Sequence, residues 1–164
     1  MKKNRGFEPV SKYKENTIDM PKRATKGSAG YDLTAAVDIT VPSVFKAFQA
    51  EEAEGNPMKS TLVPTGVKAY MPESEYLLLA NRSSNPMKRQ LAVPNGIGVI
   101  DSDYYNNEGN EGEIFVQLIN YGLEDVHIKK GERIAQGIFT PYNVVDNEAG
   151  EYDVRTGGFG SSGR

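Results

Sequence analysis

The chain has no cysteine and no tryptophan, and His127 is its one histidine. Without cysteine there is no disulfide framework, no thiolate zinc site and no thiol nucleophile. A single histidine leaves no multi-histidine metal centre. Long hydrophobic runs are also missing. The longest, residues 76–80, is far too short to cross a membrane. Met1 to Glu8 is polar and carries no apolar leader, so a cytoplasmic protein without membrane contact is expected. Surplus positive charge is lacking too: 19 Lys and Arg face 22 Asp and Glu, for a net charge of −3. Broad nucleic-acid binding needs excess cations to displace counterions, so it is not expected. Enzyme chemistry in this chain falls to carboxylates, hydroxyls, amides, Arg, Lys and a hard cation. A ligand phosphate has to be met by a few placed cations, backbone N–H groups and a metal.

What is present reads as strand and turn. The length of 164 residues suits one domain spanning 1–164. Hydrophobic residues make up only 38%, and 17 glycines break the chain into short segments. Part of the burial is therefore expected against partner subunits. Residues 31–41, 61–70, 76–80, 114–120, 126–128 and 133–139 are rich in Val, Ile, Leu, Phe, Thr and Tyr. Turns such as Pro64-Thr65-Gly66 and Pro94-Asn95-Gly96 punctuate them. This spacing predicts an all-β sandwich, jelly roll or barrel. A helix is predicted only within residues 43–54, with Phe45 and Phe48 on one side and Gly55 as a stop. The tail, residues 154–164, is Gly- and Ser-rich around Phe159 and reads as a mobile arm.

Four segments could carry chemistry. In Pro94 to Tyr105 an apolar run, Ile97 to Ile100, reads as a buried strand leading into Asp101. A carboxylate at that mouth suits a general base, although Asp-Ser-Asp is also ordinary turn chemistry. Arg82 with Ser83 and Ser84 follows the apolar 76–80 strand, and a guanidinium fork beside two hydroxyls fits phosphate oxygens. Taken alone it is equally a solvated turn. Residues 130–136 read as a tight turn into a strand, with Gln136 facing away from Ala135. The tail offers Arg155 and then Gly157-Gly158-Phe159-Gly160-Ser161-Ser162-Gly163. Its glycines let successive N–H groups converge on an anion, and Phe159 could stack on a base. No Walker lysine pattern occurs, so the chain is not a P-loop NTPase.

Together with residues 29–33, these four segments resemble, in order along the chain, the five motifs of the trimeric dUTPase family. Ala29-Gly30-Tyr31-Asp32-Leu33 looks like the first motif and Arg82-Ser83-Ser84 like the second. Asn95 through Tyr104 looks like the third, Gly131 through Gln136 like the fourth, and Arg155 through Gly163 like the fifth. Each is weak alone, but five in the correct order are specific.

The resemblance implies a β jelly roll or distorted barrel with a short inserted helix, assembled as a homotrimer with shared sites. It implies hydrolysis of dUTP to dUMP and pyrophosphate with Mg²⁺. Asp101 would deprotonate the attacking water. Asn95 and the main chain near Gly98 and Val99 would read uracil, and Tyr104 would pack against deoxyribose. Ser83, Ser84, Gln136 and Arg82 would hold phosphate oxygens. Arg155, Ser161 and Ser162 would grip the terminal phosphates while Phe159 stacks on the base. Asp32 would reach Mg²⁺ through water, with the ion held mainly by the phosphates.

The chain departs from the family pattern in places. Arg155 lies one residue nearer Gly157, and Tyr105 stands where the family often has Arg. Residues 45–59 and 106–112 are insertions expected at the surface. A dCTP deaminase-like enzyme shares this fold, but that family has a glutamate at the catalytic point and lacks the tail motif. A regulatory protein using the same nucleotide pocket is the reading from another class.

Overall fold

The computed structural model describes residues 4–13, 17–49 and 59–148. Among these residues twelve strands and one six-residue α-helix form a jelly-roll-like all-β fold. In chain order the strands are β1 Gly6–Pro9, β2 Lys22–Arg23, β3 Tyr31–Thr34, β4 Ile39–Val41, β5 Thr61–Pro64 and β6 Val67–Tyr70. After these come β7 Glu75–Ala80, β8 Leu91–Ala92, β9 Ile97–Ile100, β10 Phe115–Asn120, β11 Val126–Ile128 and β12 Arg133–Pro141. The largest sheet has the order β2-β3-β12-β7-β9, and a second sheet runs β5-β10-β8. Two pairs, β1-β6 and β11-β4, complete the wrap. Every strand pairing is antiparallel.

Side-chain alternation sets which face each strand buries. On β10, Val116, Leu118 and Asn120 point inward; on β7, Leu77 and Leu79 do so. They meet Leu33, Val63, Leu91, Ile114, Ile128 and Ile134 in one core. Asn120 is buried among them at no polar cost, because every group of its amide is used. Its Nδ2 donates to the carbonyls of Val41 (3.0 Å) and Glu124 (2.8 Å), and its Oδ1 accepts from the Gly122 N–H (2.9 Å).

The predicted strand over residues 31–41 is two strands. Between them the Ala35 N–H donates to the Glu132 carbonyl and the Ala36 N–H to the Pro64 carbonyl, so the backbone changes partners and bends. The predicted 61–70 strand likewise divides at Gly66, whose φ of +71° is a left-handed conformation open to glycine. The helix is α1, Val44–Gln49, shorter than the predicted span; residues 50–58 lie outside the described residues. Val44 is its buried residue, while Phe45 and Phe48 are exposed. Among the described residues no helix is long and apolar enough to cross a membrane.

Candidate active site

Two ends of the five-stranded sheet hold the predicted site residues. At the first end, β3, β12 and β7 lie side by side, and Gln136 pairs with Asp32 on one flank and Ala80 on the other. The turn after β7 carries Asn81, Arg82, Ser83 and Ser84. Arg82 Nε donates to Asp32 Oδ1 at 3.0 Å, and Arg133 Nη1 donates to Asp32 Oδ2 at 3.3 Å. One carboxylate between two guanidiniums leaves the cluster with surplus positive charge, as an anion site requires.

Amide groups fix the turn. Asn81 Oδ1 accepts from the Arg82 N–H (3.0 Å) and from Asn85 Nδ2 (2.7 Å). Gln136 Nε2 donates to the Asn81 carbonyl at 3.1 Å. Asn85, fully buried, also donates to the Ile134 carbonyl at 2.8 Å and so ties the turn to β12. Gly30 lies against the Gln136 side chain, so a Cβ there would push the Gln136 Oε1 aside.

The second end is β9 with its flanking turns. Asn95 lies in the tight turn before it, where Gly96 has a φ of +78°. Gly98 lets β9 pack closely on β7: a Cβ there would stand 3.1 Å from the Leu79 Cβ. The expected buried strand is instead the edge strand of its sheet, with Ile97 45% and Val99 54% exposed. An apolar run does not reveal whether its outer face is covered by the same chain or by something else.

Asp101 is partly buried and stands at the start of a 3₁₀ turn, Ser102–Tyr104, without a capping hydrogen bond from its side chain. Tyr104, the expected sugar wall, is only 4% exposed, and its hydroxyl donates to the Glu113 carbonyl at 2.9 Å. Tyr105 turns away to β1. Its hydroxyl donates to Glu8 Oε2 at 2.6 Å, and the Lys68 ammonium lies 5.3 Å from its ring centroid. That hydrogen bond to the Glu8 carboxylate, with partial burial, holds the Tyr105 phenol above its ordinary value.

Strand register separates Asp101 from the Arg82 turn. Ile100 pairs with Leu77, so Asp101 stands level with Tyr76, while the turn that carries Arg82 begins beyond Ala80 at the opposite end of β7. Four residue steps along β7, about 13 Å, and three strand spacings from β9 to β3, where Arg82 meets Asp32, about 14 Å, set the two about 20 Å apart. A base and the groups holding the phosphoryl unit it serves must stand within a hydrogen bond, or one water, of that unit. Within one chain they do not.

The dUTPase family model matches residues 16–163. The chain belongs to the dUTPase family. It is 48% identical to the deoxyuridine 5'-triphosphate nucleotidohydrolase of Lactococcus lactis subsp. lactis (strain IL1403), across 98% of this chain and 99% of that one. The crystal structure of dUTPase from Streptococcus mutans superposes with a TM-score of 0.74 at 43% identity, covering 87% of this chain and 99% of that chain. The D95N dUTPase of phage phi11 of S. aureus shares the fold at 18% identity, with a TM-score of 0.67 and coverage of 91% and 97%.

For this dUTPase-family chain, Asp32, Arg82, Ser83, Ser84 and Gln136 gather on β3, β12 and the turn after β7, whereas Asn95, Gly98, Val99, Asp101 and Tyr104 follow the edge strand β9, with Asn95 at its Ala80 end and Asp101 at its Leu77 end. Arg155, Phe159, Ser161 and Ser162 lie outside the described residues. Sequence reading missed Arg133, which shares Asp32 with Arg82, and the buried Asn85 beneath the turn. Arg133 sat in plain view inside the fourth motif. Nothing in the sequence signalled that it would meet a carboxylate 101 positions away.

Proposed function

We propose that this chain hydrolyses dUTP to dUMP and pyrophosphate in sites shared between the subunits of a homotrimer. The observation that carries the reading is the cluster of Asp32, Arg82 and Gln136: segments remote in sequence meet at neighbouring registers of one sheet, with Arg82 held in place by Asp32. Such fixed charge costs no reorganisation when a triphosphate arrives. Asp101 is the general base at the other end. It takes a proton from water as the water oxygen bonds to the α-phosphorus, the bond to the bridging oxygen breaks, and pyrophosphate departs. Phosphoryl chemistry of this kind depends on positioning and charge neutralisation rather than covalent help. The separation of about 20 Å supports an assembly in which Asp101 of one subunit faces the Arg82 turn of a neighbour.

Mg²⁺ fits the donor set. It takes oxygen ligands, keeps several waters and is commonly carried by substrate phosphates with one or two carboxylates. Asp32 accepts one N–H on each oxygen, which leaves lone pairs for a metal-bound water. When bound, the ion neutralises charge that develops on the leaving pyrophosphate. Asn95 and the exposed backbone edge of β9 read uracil, and Tyr104 walls the deoxyribose. Arg155, Ser161 and Ser162 hold the terminal phosphates while Phe159 covers the base.

Pyrophosphate release measured side by side on dUTP, dCTP, dTTP and UTP tests this reading. Turnover of dUTP well above the other three is expected. Ammonia release from dCTP, or equal rates on all four, would remove it.

A further inference from the structure

We propose that loop 106–112 is a positioning device for Tyr104, with Asn110 as its central residue; this rests on the reading of Tyr104 as the wall against deoxyribose. The loop was expected to be a surface insertion, and Glu108 and Gly109 at its tip are exposed. Its inner face is not: Asn107 is 7% exposed and Gly112 is buried.

The loop is closed on itself. The Asn106 N–H donates to the Glu111 carbonyl at 3.0 Å, and the Glu111 N–H donates to the Asn107 carbonyl at 3.0 Å. Asn107 Oδ1 accepts from the N–H groups of Gly109 (3.0 Å) and Asn110 (3.1 Å). Asn106 and Glu111 have φ of +57° and +59°, which side chains rarely adopt. Such backbone persists where its surroundings over-determine it, and it concentrates at functional sites.

What the loop holds is Tyr104, and it does so at both ends of the residue. Asn107 Nδ2 donates to the Tyr104 carbonyl at 2.8 Å. Asn110 Nδ2 donates to the Tyr104 hydroxyl at 2.7 Å, and that hydroxyl in turn donates to the Glu113 carbonyl at 2.9 Å. Asn110 Oδ1 is occupied by Asn107 Nδ2 (2.9 Å) and the Gly112 N–H (3.1 Å), so its amide cannot flip without losing bonds. Gly112 completes the grip, because a Cβ there would stand 2.5 Å from the Tyr104 carbonyl oxygen. The hold continues to the catalytic turn, where the Tyr104 N–H donates to the Asp101 carbonyl at 3.1 Å. Outside, the Glu111 carboxylate accepts from the Ser11 N–H and hydroxyl, both at 2.7 Å, and anchors the loop to the N-terminal segment. A connection that only joined a turn to β10 would need none of these contacts to one phenol. With so little of the ring exposed, its distance from a 2′-substituent follows from where Asn110 holds its hydroxyl.

The test is kcat/KM on dUTP and on UTP for the wild type, Asn110→Ala, Tyr104→Phe and the double variant. The dUTP-over-UTP ratio is expected to fall about fivefold to tenfold in each single variant, the scale of one lost hydrogen bond in a discriminating site. For Asn110→Ala, kcat on dUTP is expected to stay within about threefold of the wild type. The double variant should fall no further than the singles, as for two residues acting through one contact. Equal losses on both nucleotides with an unchanged ratio would reduce the loop to a purely structural role, while the wild type's own preference for dUTP would still stand. Should Asn110→Ala fail to fold, Tyr104→Phe removes only the gripped atom; an unchanged ratio there overturns the proposal. A wild type that releases no pyrophosphate from dUTP overturns this proposal together with the reading beneath it.

Discussion

At one end of the five-stranded sheet Asp32 is clamped between Arg82 and Arg133, and the turn beside it is tied down by Asn81, Asn85 and Gln136. At the other end β9 is an edge strand whose Ile97 and Val99 face outward, and the next strand in sequence is reached only through the strapped loop 106–112. The first end is largely finished within the chain: Asp32 is held by two guanidiniums and the turn is tied to β12 through Asn81, Asn85 and Gln136, with the buried Asn85 Oδ1 left without a hydrogen bond. The second is finished only in part. Its backbone edge and apolar outer face are the kind of surface that proteins cover or use, since bare edges invite pairing. The difference matches what each end is proposed to hold. A triphosphate needs fixed cations before it arrives, whereas a uracil needs a backbone edge and flat neighbours that close around it. On the proposed function neither end is a site alone.

The largest effect expected is at the half-finished end. Asp101→Asn should still bind dUTP but turn it over at least about a hundredfold more slowly, measured by single-turnover pyrophosphate release. Near-normal turnover would strip Asp101 of its role and leave the comparison without a catalytic end. Next comes the contribution that belongs to neither end. Deleting residues 157–164 is expected to lower kcat on dUTP by at least about tenfold, while thermal unfolding of the remainder stays unchanged. Full activity in the truncated chain would mean that the two ends suffice.

The smallest effect concerns the strap at Glu111. The Ser11 hydroxyl and N–H, with Lys68, hold the Glu111 carboxyl below its ordinary value of 4.5. Arg5 does the same for Glu75. A carboxyl lowered in the folded state adds stability above the unfolded value and loses it as the pH falls through the folded one. Melting temperature should therefore decline as the pH drops from about 5 to 3, and Glu111→Gln should flatten that decline slightly. The residual slope would belong in part to Glu75. An identical acid limb in the variant would show that the strap contributes nothing.

Much of the fold was legible because β-forming residues and turns leave marks in sequence. Runs of Val, Ile, Leu, Phe, Thr and Tyr marked β7, β10 and β12, although residue type alone did not give their faces: on β10 Asn120 points inward while Phe115 and Ile119 do not. The two-residue strands β2 and β8 left no mark, since two residues carry no period. The reading of Ile97 to Ile100 as buried failed because an apolar run does not say what covers it. The five motifs named candidate residues but not their wiring: Arg82 reaches Asp32 across 50 positions, and only the sheet register brings them together. In loop 106–112, polar composition read as solvent exposure. The asparagines instead satisfy one another and Tyr104, so polar residues fill a buried place.

The most direct measurement mixes two disabled chains. Asp101→Asn and Arg82→Ala, each inactive alone, are co-refolded in equal amounts and assayed on dUTP. When Asp101 of one subunit serves the Arg82 turn of its neighbour, random assembly restores intact sites in about one quarter of positions, and activity returns to roughly that share of the wild type. If each chain builds its own site, every site in the mixture carries a lesion. Activity that stays at the level of the separate variants would contradict the account.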